Sequence, residues 1–377
     1  MSLFLLIIVL LMFVGLVVVH EWGHFIAARR GGVEVEEFGI GFPPRAWSRK
    51  LKSGLLFTLN WLPLGGFVKL KGEHDSATSK GSFGAARLST KVKIMLAGVG
   101  MNLLTAFLIL TFLALIGIPK IIENQFTVAR DTKVTRNDVL VGYVADNSPA
   151  KSAGIKSQDQ LIAIRNAKGE VRYISSAEKL PEATKYFAGQ NVSIDIKRSG
   201  NNQSVQAVLR TEKEVEDSRN SDNPKGYLGI SPTEYTIQRS TWSSPIVAAG
   251  LIKQFTEATL KGLGSLVTNL FKGKASEATK QVSGPVGIFV ILKDGSLLGI
   301  QFILMIIAII SLTLAIMNAL PIPALDGGRL FVTLLFKVMK KPLPKELEEK
   351  IHGTGMLFIL GVAFFITAVD FNRHILK

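Results

Sequence analysis

Four stretches of the chain are continuously apolar, and between them charge and alternation return. Residues 3–19, 94–119, 295–325 and 353–369 carry no charged side chain over 17, 26, 31 and 17 positions. About 20 apolar helical residues cross a bilayer, so the middle two qualify outright and the outer two are short on their own. No basic cluster precedes the first stretch, and its first cations, Arg29 and Arg30, follow it. That order predicts a retained first helix with its N-terminus outside, rather than a cleaved leader.

The segments between the stretches differ in kind. Residues 29–93 hold twelve Lys or Arg, and residues 329–350 hold six. An even number of crossings separates them, so they share a side, and the positive-inside rule makes that side the cytoplasm. Residues 120–294 then face outward. Val192, Ile194 and Ile196 alternate with polar residues up to a Ser199-Gly200-Asn201-Asn202 turn, and Val205, Ala207 and Leu209 resume the alternation, which predicts a β-hairpin. Residues 140–144 and 161–164 read as strands. Residues 175–187 read as a helix capped by Ser175 and Glu178, residues 212–224 as a flexible loop, and 227–230 as a last strand. Ile252, Phe255, Leu263, Leu266, Val267 and Leu270 recur at helical spacing opposite Lys253, Lys261 and Lys272. Residues 240–275 therefore form an amphipathic helix, lying on the membrane surface or packed on the external domain.

Composition agrees with membrane residence: 47% hydrophobic residues against 19% charged excludes a disordered chain and argues against a soluble enzyme. The net charge of +15 is then read as loop topology and contact with anionic lipid, not as a nucleic-acid surface. The chain has no Cys, which removes thiolate ligands and nucleophiles.

The candidate chemistry lies where lipid should be. His20-Glu21-Trp22-Gly23-His24 puts two imidazoles on one helix face with a carboxylate beside them, the HExxH pattern of two zinc ligands and a general base. A catalytic zinc needs a third protein ligand and an open position. Asp326 is the only acid between Asp294 and Glu346. It follows Pro321 and Pro323, which cannot continue a helix, and precedes Gly327-Gly328, which free the backbone to turn. A broken third span presenting a carboxylate to a buried pocket is the expectation. His74, His352 and His374 read as solvated or interfacial residues.

These residues resemble the site-2 protease family of zinc-dependent intramembrane metalloproteases, in its bacterial sigma-E-protease form. The likeness rests on HEWGH, on Ala97-Gly98-Val99-Gly100-Met101-Asn102, on the segment 318–328, and on Leu62-Pro63-Leu64-Gly65-Gly66-Phe67-Val68-Lys69 with Gly39-Ile40-Gly41-Phe42 before it. The resemblance implies His20, His24 and Asp326 as zinc ligands and Glu21 as catalytic base. It implies Asn318 as a contact to the substrate backbone, and Gly98 and Asn102 as close-packing or polar supports. Residues 38–71 look like the family's re-entrant β-loop, in which 57–60 and 67–70 would form a hairpin around Pro63-Leu64-Gly65-Gly66. Gly65, Gly66 and Phe67 would then border an extended substrate. The external residues 121–235 are similar to a circularly permuted PDZ domain through Val141-Gly142-Tyr143-Val144 and Ser148-Pro149-Ala150-Lys151-Ser152-Ala153-Gly154-Ile155. Gln158-Asp159 stands where Gly-Asp is usual, and there is length for one such domain where well-known relatives have two.

The implied fold is a polytopic α-helical membrane protein with four transmembrane helices (3–24, 94–119, 297–320 and 353–370), a re-entrant β-hairpin, an external mixed α/β PDZ-like domain, and a Leu325-Asp326-Gly327-Gly328 motif. The implied function is hydrolysis of peptide bonds in transmembrane segments of single-pass proteins, such as anti-sigma factors or remnant signal peptides. It takes place in a bacterial inner membrane with zinc as cofactor, after an upstream site-1 protease has acted. Two other classes share these residues. A metal or proton transporter needs a polar relay through the outer half of the spans, which the sequence lacks. An inactive PDZ-bearing scaffold would not keep Glu21 and a full ligand set.

Overall fold

The structure is a computed structural model describing residues 2–221, 223–274, 284–295 and 298–374. Leu297, the expected start of the third span, and Ala275, the expected end of the amphipathic helix, lie outside the described residues. The chain divides into two compact units: residues 1–113 with 244–377, and residues 114–243.

The first unit is built on helices, some apolar all round, as lipid-facing helices must be, and others amphipathic. Helix α1 is Ser2–Arg30 and α2 is Leu88–Ile116. Helix α6 is Ser244–Phe271, α7 is Pro285–Gly295, α8 is Ile300–Ala319, α9 is Asp326–Val338 and α10 is Lys345–His374. Among the described residues, four stretches are long and apolar enough to cross a membrane: Leu10–Arg30, Leu88–Ile116, Ile300–Ala319 and Lys345–Asn372. The protein is accordingly a polytopic membrane protein. The second span begins earlier than expected, at Leu88, and ends at Ile116. Gly117, at φ +129°, turns the chain, and Ile118–Pro119 joins a sheet. The first helix does not stop at HEWGH but runs on to Arg30. Helices α1 and α2 pack closely because Gly23 lacks a side chain: a Cβ there would stand 2.5 Å from the Ala97 carbonyl oxygen. Helix α6 packs against α8, which favours its association with the membrane helices. The buried carboxylate of Asp370 accepts the backbone N–H groups of Gly284 and Gly287 at 2.6 and 3.0 Å, capping α7.

Between α1 and α2 lie β1 (Val35–Lys50) and β2 (Leu56–Leu70), which pair antiparallel. The expected 57–60 with 67–70 hairpin is not what forms. Phe38 registers with both Phe57 and Val68, and Gly39 with both Thr58 and Phe67. The first strand thus lies between the two segments. Gly39 permits this because a Cβ would strike the Phe67 ring. The inner end of the sheet joins a core of Ala28, Val33, Leu70, Phe83, Ile94 and Met95.

The second unit is a seven-stranded sheet. Its strands are β3 (Ile118–Pro119), β4 (Lys133–Val144), β5 (Gln160–Asn166), β6 (Val171–Tyr173), β7 (Asn191–Arg198), β8 (Asn201–Val208) and β9 (Ile230–Arg239). They run in the order β3-β9-β4-β5-β7-β8, with β6 beside β5. The predicted hairpin is β7–β8; Val192, Ile194 and Ile196 are fully buried, and Ser199 and Gly200 turn it with positive φ. Short helices α3 (Pro149–Ser152), α4 (Lys179–Tyr186) and α5 (Glu212–Asp217) complete the unit. Three expectations are corrected. Helix α4 begins at Lys179 without the Ser175 cap; Pro181, third in the helix, falls where no N–H is required. Residues 212–217 are helical, nucleated by a capping box between Thr211 and Glu214. The last strand is Ile230–Arg239, displaced from 227–230, because Tyr235 and Ile237 supply the buried face that the polar residues around them hide in the sequence. Gln158 adopts φ +69°, the left-handed conformation for which Gly is the usual residue.

Candidate metal centre

Helix α1 places His20 and His24 one turn apart, and the break after α8 returns Asp326 to them. Leu320 leaves the helix in an extended conformation, Ala324 takes φ +80°, and Asp326 opens α9. The two glycines that follow Asp326 let this turn close on itself. A Cβ at Gly327 would collide with the Ala319 and Leu320 carbonyl oxygens, and one at Gly328 with that of Ile322.

Three side chains converge. Asp326 Oδ2 lies 3.1 Å from His20 Nε2 and 3.2 Å from His24 Nε2, and the two Nε2 atoms are 3.2 Å apart. Donors held about 2.0–2.1 Å from a tetrahedral zinc ion stand about 3.3–3.4 Å apart, so the triangle has the size the ion requires. Asp326 Oδ2 is buried with no hydrogen-bond donor among the described residues, an arrangement suited to a cation.

Neighbouring groups orient the rings. The Ile94 carbonyl accepts from His24 Nδ1 at 2.8 Å, which places the ring proton there and leaves the Nε2 lone pair facing the centre. The side-chain amide of Asn102 is 3.2 Å from His20 Nδ1. Its Oδ1 atom is buried without a partner among the described residues, and with the amide turned over that oxygen accepts the Nδ1 proton. Ser311 on α8 fixes the same turn of α2 by donating to the Asn102 carbonyl at 2.8 Å. Gly98 faces the rings directly: a Cβ there would stand 2.5 Å from His24 Nε2 and 2.7 Å from His20 Nε2.

Glu21, His24, Phe67, Val68, Arg329 and Asp326 line one cleft, and Gly66 passes Glu21 so closely that a Cβ would touch its Cγ at 3.4 Å. Gly65 turns at φ +97° against the Phe42 ring. Asn318 sits half-buried in the last turn of α8, and among the described residues it makes no hydrogen bond to the three donors. Two residues expected to be solvated or interfacial are partly buried and have partners. His352 is half-buried and its Nδ1 accepts the Ala324 N–H at 3.1 Å. His74 lies 3.4 Å from Glu349. The side chain of His374 falls outside those described.

A helical membrane unit carrying a carboxylate and two imidazoles around one point has the makings of a metal centre in a membrane protein. A profile of peptidase family M50 matches residues 8–362, and the chain belongs to that family, the site-2 proteases; it is a zinc metalloprotease. Similar chains include one from Clostridium perfringens, 29% identical over 365 residues covering 96% of both chains. Another, from Fusobacterium nucleatum, is 30% identical over 360 residues covering 95% of both. Both are named as zinc metalloproteases. RasP of Bacillus subtilis, named a regulator of sigma-W protease, is 26% identical over 446 aligned residues covering 97% of each chain.

Proposed function

We propose that His20, His24 and Asp326 hold the zinc ion and that Glu21 is the general base of an intramembrane peptidase. The carrying observation is the convergence of three otherwise unpartnered donor atoms within 3.2 Å, beside a carboxylate in the same cleft. Zinc, when bound, supplies a Lewis acid that makes water acidic and polarises a carbonyl. Glu21 takes the proton of the attacking water and delivers it to the leaving nitrogen.

A helical substrate hides its peptide bonds in internal hydrogen bonds and must be unwound first. Residues 66–70 pair with 35–40 on one side, and residues 67 and 68 border the cleft. An unwound substrate adds as a strand beside them, exchanging its helical hydrogen bonds for sheet bonds, and Asn318, both donor and acceptor, holds the same strand. The substrates are single-pass membrane proteins with helix-weakening residues near the cytoplasmic end. The likeness to a named sigma-factor regulator supports anti-sigma factors among them, after trimming by an upstream protease. The sheet unit, PDZ-like by its sequence, lies outside a bacterial inner membrane, where it either binds a newly exposed C-terminus or screens substrates by the size of their external part; cleavage of full-length and trimmed substrates with and without residues 121–235 decides between the two.

The test is proteolysis of a transmembrane substrate by the purified chain in lipid. Glu21→Gln is expected to lower kcat by about 10²–10⁴-fold with zinc retained, and chelation to abolish cleavage until zinc is restored. Full proteolysis by Glu21→Gln overturns the assignment. Metal flux into liposomes without proteolysis indicates a transporter instead.

A further inference from the structure

Helix α10 is long and apolar enough to be a simple membrane anchor, but its first three turns carry Glu348, His352 and Gly355 at spacings that share one face. Each meets the segment that delivers Asp326. Glu348, only 3% exposed, stands 3.8 Å from Arg329, three residues after Asp326. His352 Nδ1 accepts the N–H of Ala324, two residues before Asp326, at 3.1 Å. Gly355 lets the helix close on Pro323, where a Cβ would stand 2.6 Å from the carbonyl oxygen. Ala324 holds a left-handed φ of +80° without being glycine, a conformation that persists only where surrounding contacts over-determine it. Arg329 is gripped from the other side as well: it donates to the Glu73 carbonyl and lies 4.7 Å over the buried Phe83 ring. The Glu348 carboxylate also accepts the Asp75 N–H at 3.0 Å.

We propose that the start of the last helix is a positioning element for the metal centre, in which His352, with Glu348 and Gly355 on the same face, holds the 323–329 segment so that Asp326 meets the two imidazoles. His352 does not touch the reacting atoms. It acts through the Ala324 peptide. The inference rests on the ligand assignment made above and goes beyond it, because two of the three donors sit on the continuous helix α1 whereas the third opens α9 directly after an irregular segment that must be held by something else.

The experiment uses the full-length chain in lipid nanodiscs and compares wild type, His352→Phe, His352→Asn and Gly355→Ala. The readouts are zinc affinity by chelator competition, the absorption spectrum of the cobalt-loaded protein, and kcat and KM on a transmembrane substrate. Asn can return an acceptor near the position of Nδ1; Phe cannot. His352→Phe is expected to bind zinc about 10–100-fold more weakly, the range for groups that orient metal ligands. The cobalt spectrum should change and kcat fall at least tenfold, with KM within about twofold. His352→Asn should recover most of the affinity. Wild-type affinity and kcat in a folded His352→Phe, or an Asn variant no better than Phe, overturns the proposal. Should His352→Phe fail to fold, Gly355→Ala decides: weakened zinc binding is expected, and unchanged binding refutes the inference. Absence of zinc binding by the wild type would instead sink the ligand assignment.

Discussion

Gly98 shows how little room surrounds the donors, since the smallest side chain would enter both imidazoles. Gly98→Ala is therefore expected to lower zinc affinity more than tenfold without unfolding α2, where Ala is the better helix former; chelator competition together with circular dichroism measures both. Asn102 acts more gently. Asn102→Leu leaves His20 Nδ1 unpartnered in a buried site, and a loss of about 10–100-fold in metal affinity is expected, partly restored by Asp, which still accepts the ring proton. Both positions were visible in the sequence only through their likeness to a family motif. Their roles depend on which face of α2 meets α1, and helical periodicity cannot choose a face when every face is apolar. The partner of His352 is illegible for a related reason: it is a backbone N–H, and backbone atoms leave no trace in residue identity.

Elements were most legible where periodicity was clean and least where strands fold back. The β7–β8 hairpin followed directly from alternation and a Ser-Gly turn, whereas the β1–β2 pairing did not. The local turn at residues 63–66 suggested neighbours, but residues 37–40 occupy the place between them. Strand order is a choice among non-local partners of similar local propensity, and only packing decides it. One sheet-unit contact makes a sharp prediction. Arg198 donates to Asp159, 1% exposed in its side chain, at 2.7 and 2.6 Å, and also to the Gly154 carbonyl. Arg198→Met leaves a buried carboxylate without its charge partner and is expected to destabilise this unit by about 3–5 kcal/mol. Amide hydrogen exchange of β5 and β7 in the full-length protein measures it.

For the molecule as a whole, the basic segments predict that residues 29–93 and 329–350 face the cytoplasm and that residues 120–294 lie outside. The chain's lack of cysteine makes this directly measurable by single substitutions in a thiol-free background. Lys52→Cys is expected to react with an impermeant maleimide only from the cytoplasmic side, and Asn201→Cys only from the opposite side. Labelling of both from one side would reverse the topology and put the mouth of the cleft on the wrong face for cytoplasmic water.

The sequence by itself determined the class of the protein. Long uncharged runs admit few environments, and two histidines one helical turn apart with a distant, isolated aspartate are costly to keep in an apolar span unless they bind something. Those are properties of residue type and local spacing, and they survive without coordinates. The tertiary structure decided everything that depends on contacts between distant segments: the 3.1–3.2 Å triangle across some three hundred residues, the strand lying between 57–59 and 67–68, and the last helix that holds the aspartate loop. Such contacts arise from the packing of apolar surfaces and backbone groups, which many residue choices satisfy equally, so the chain's letters leave them open until it folds.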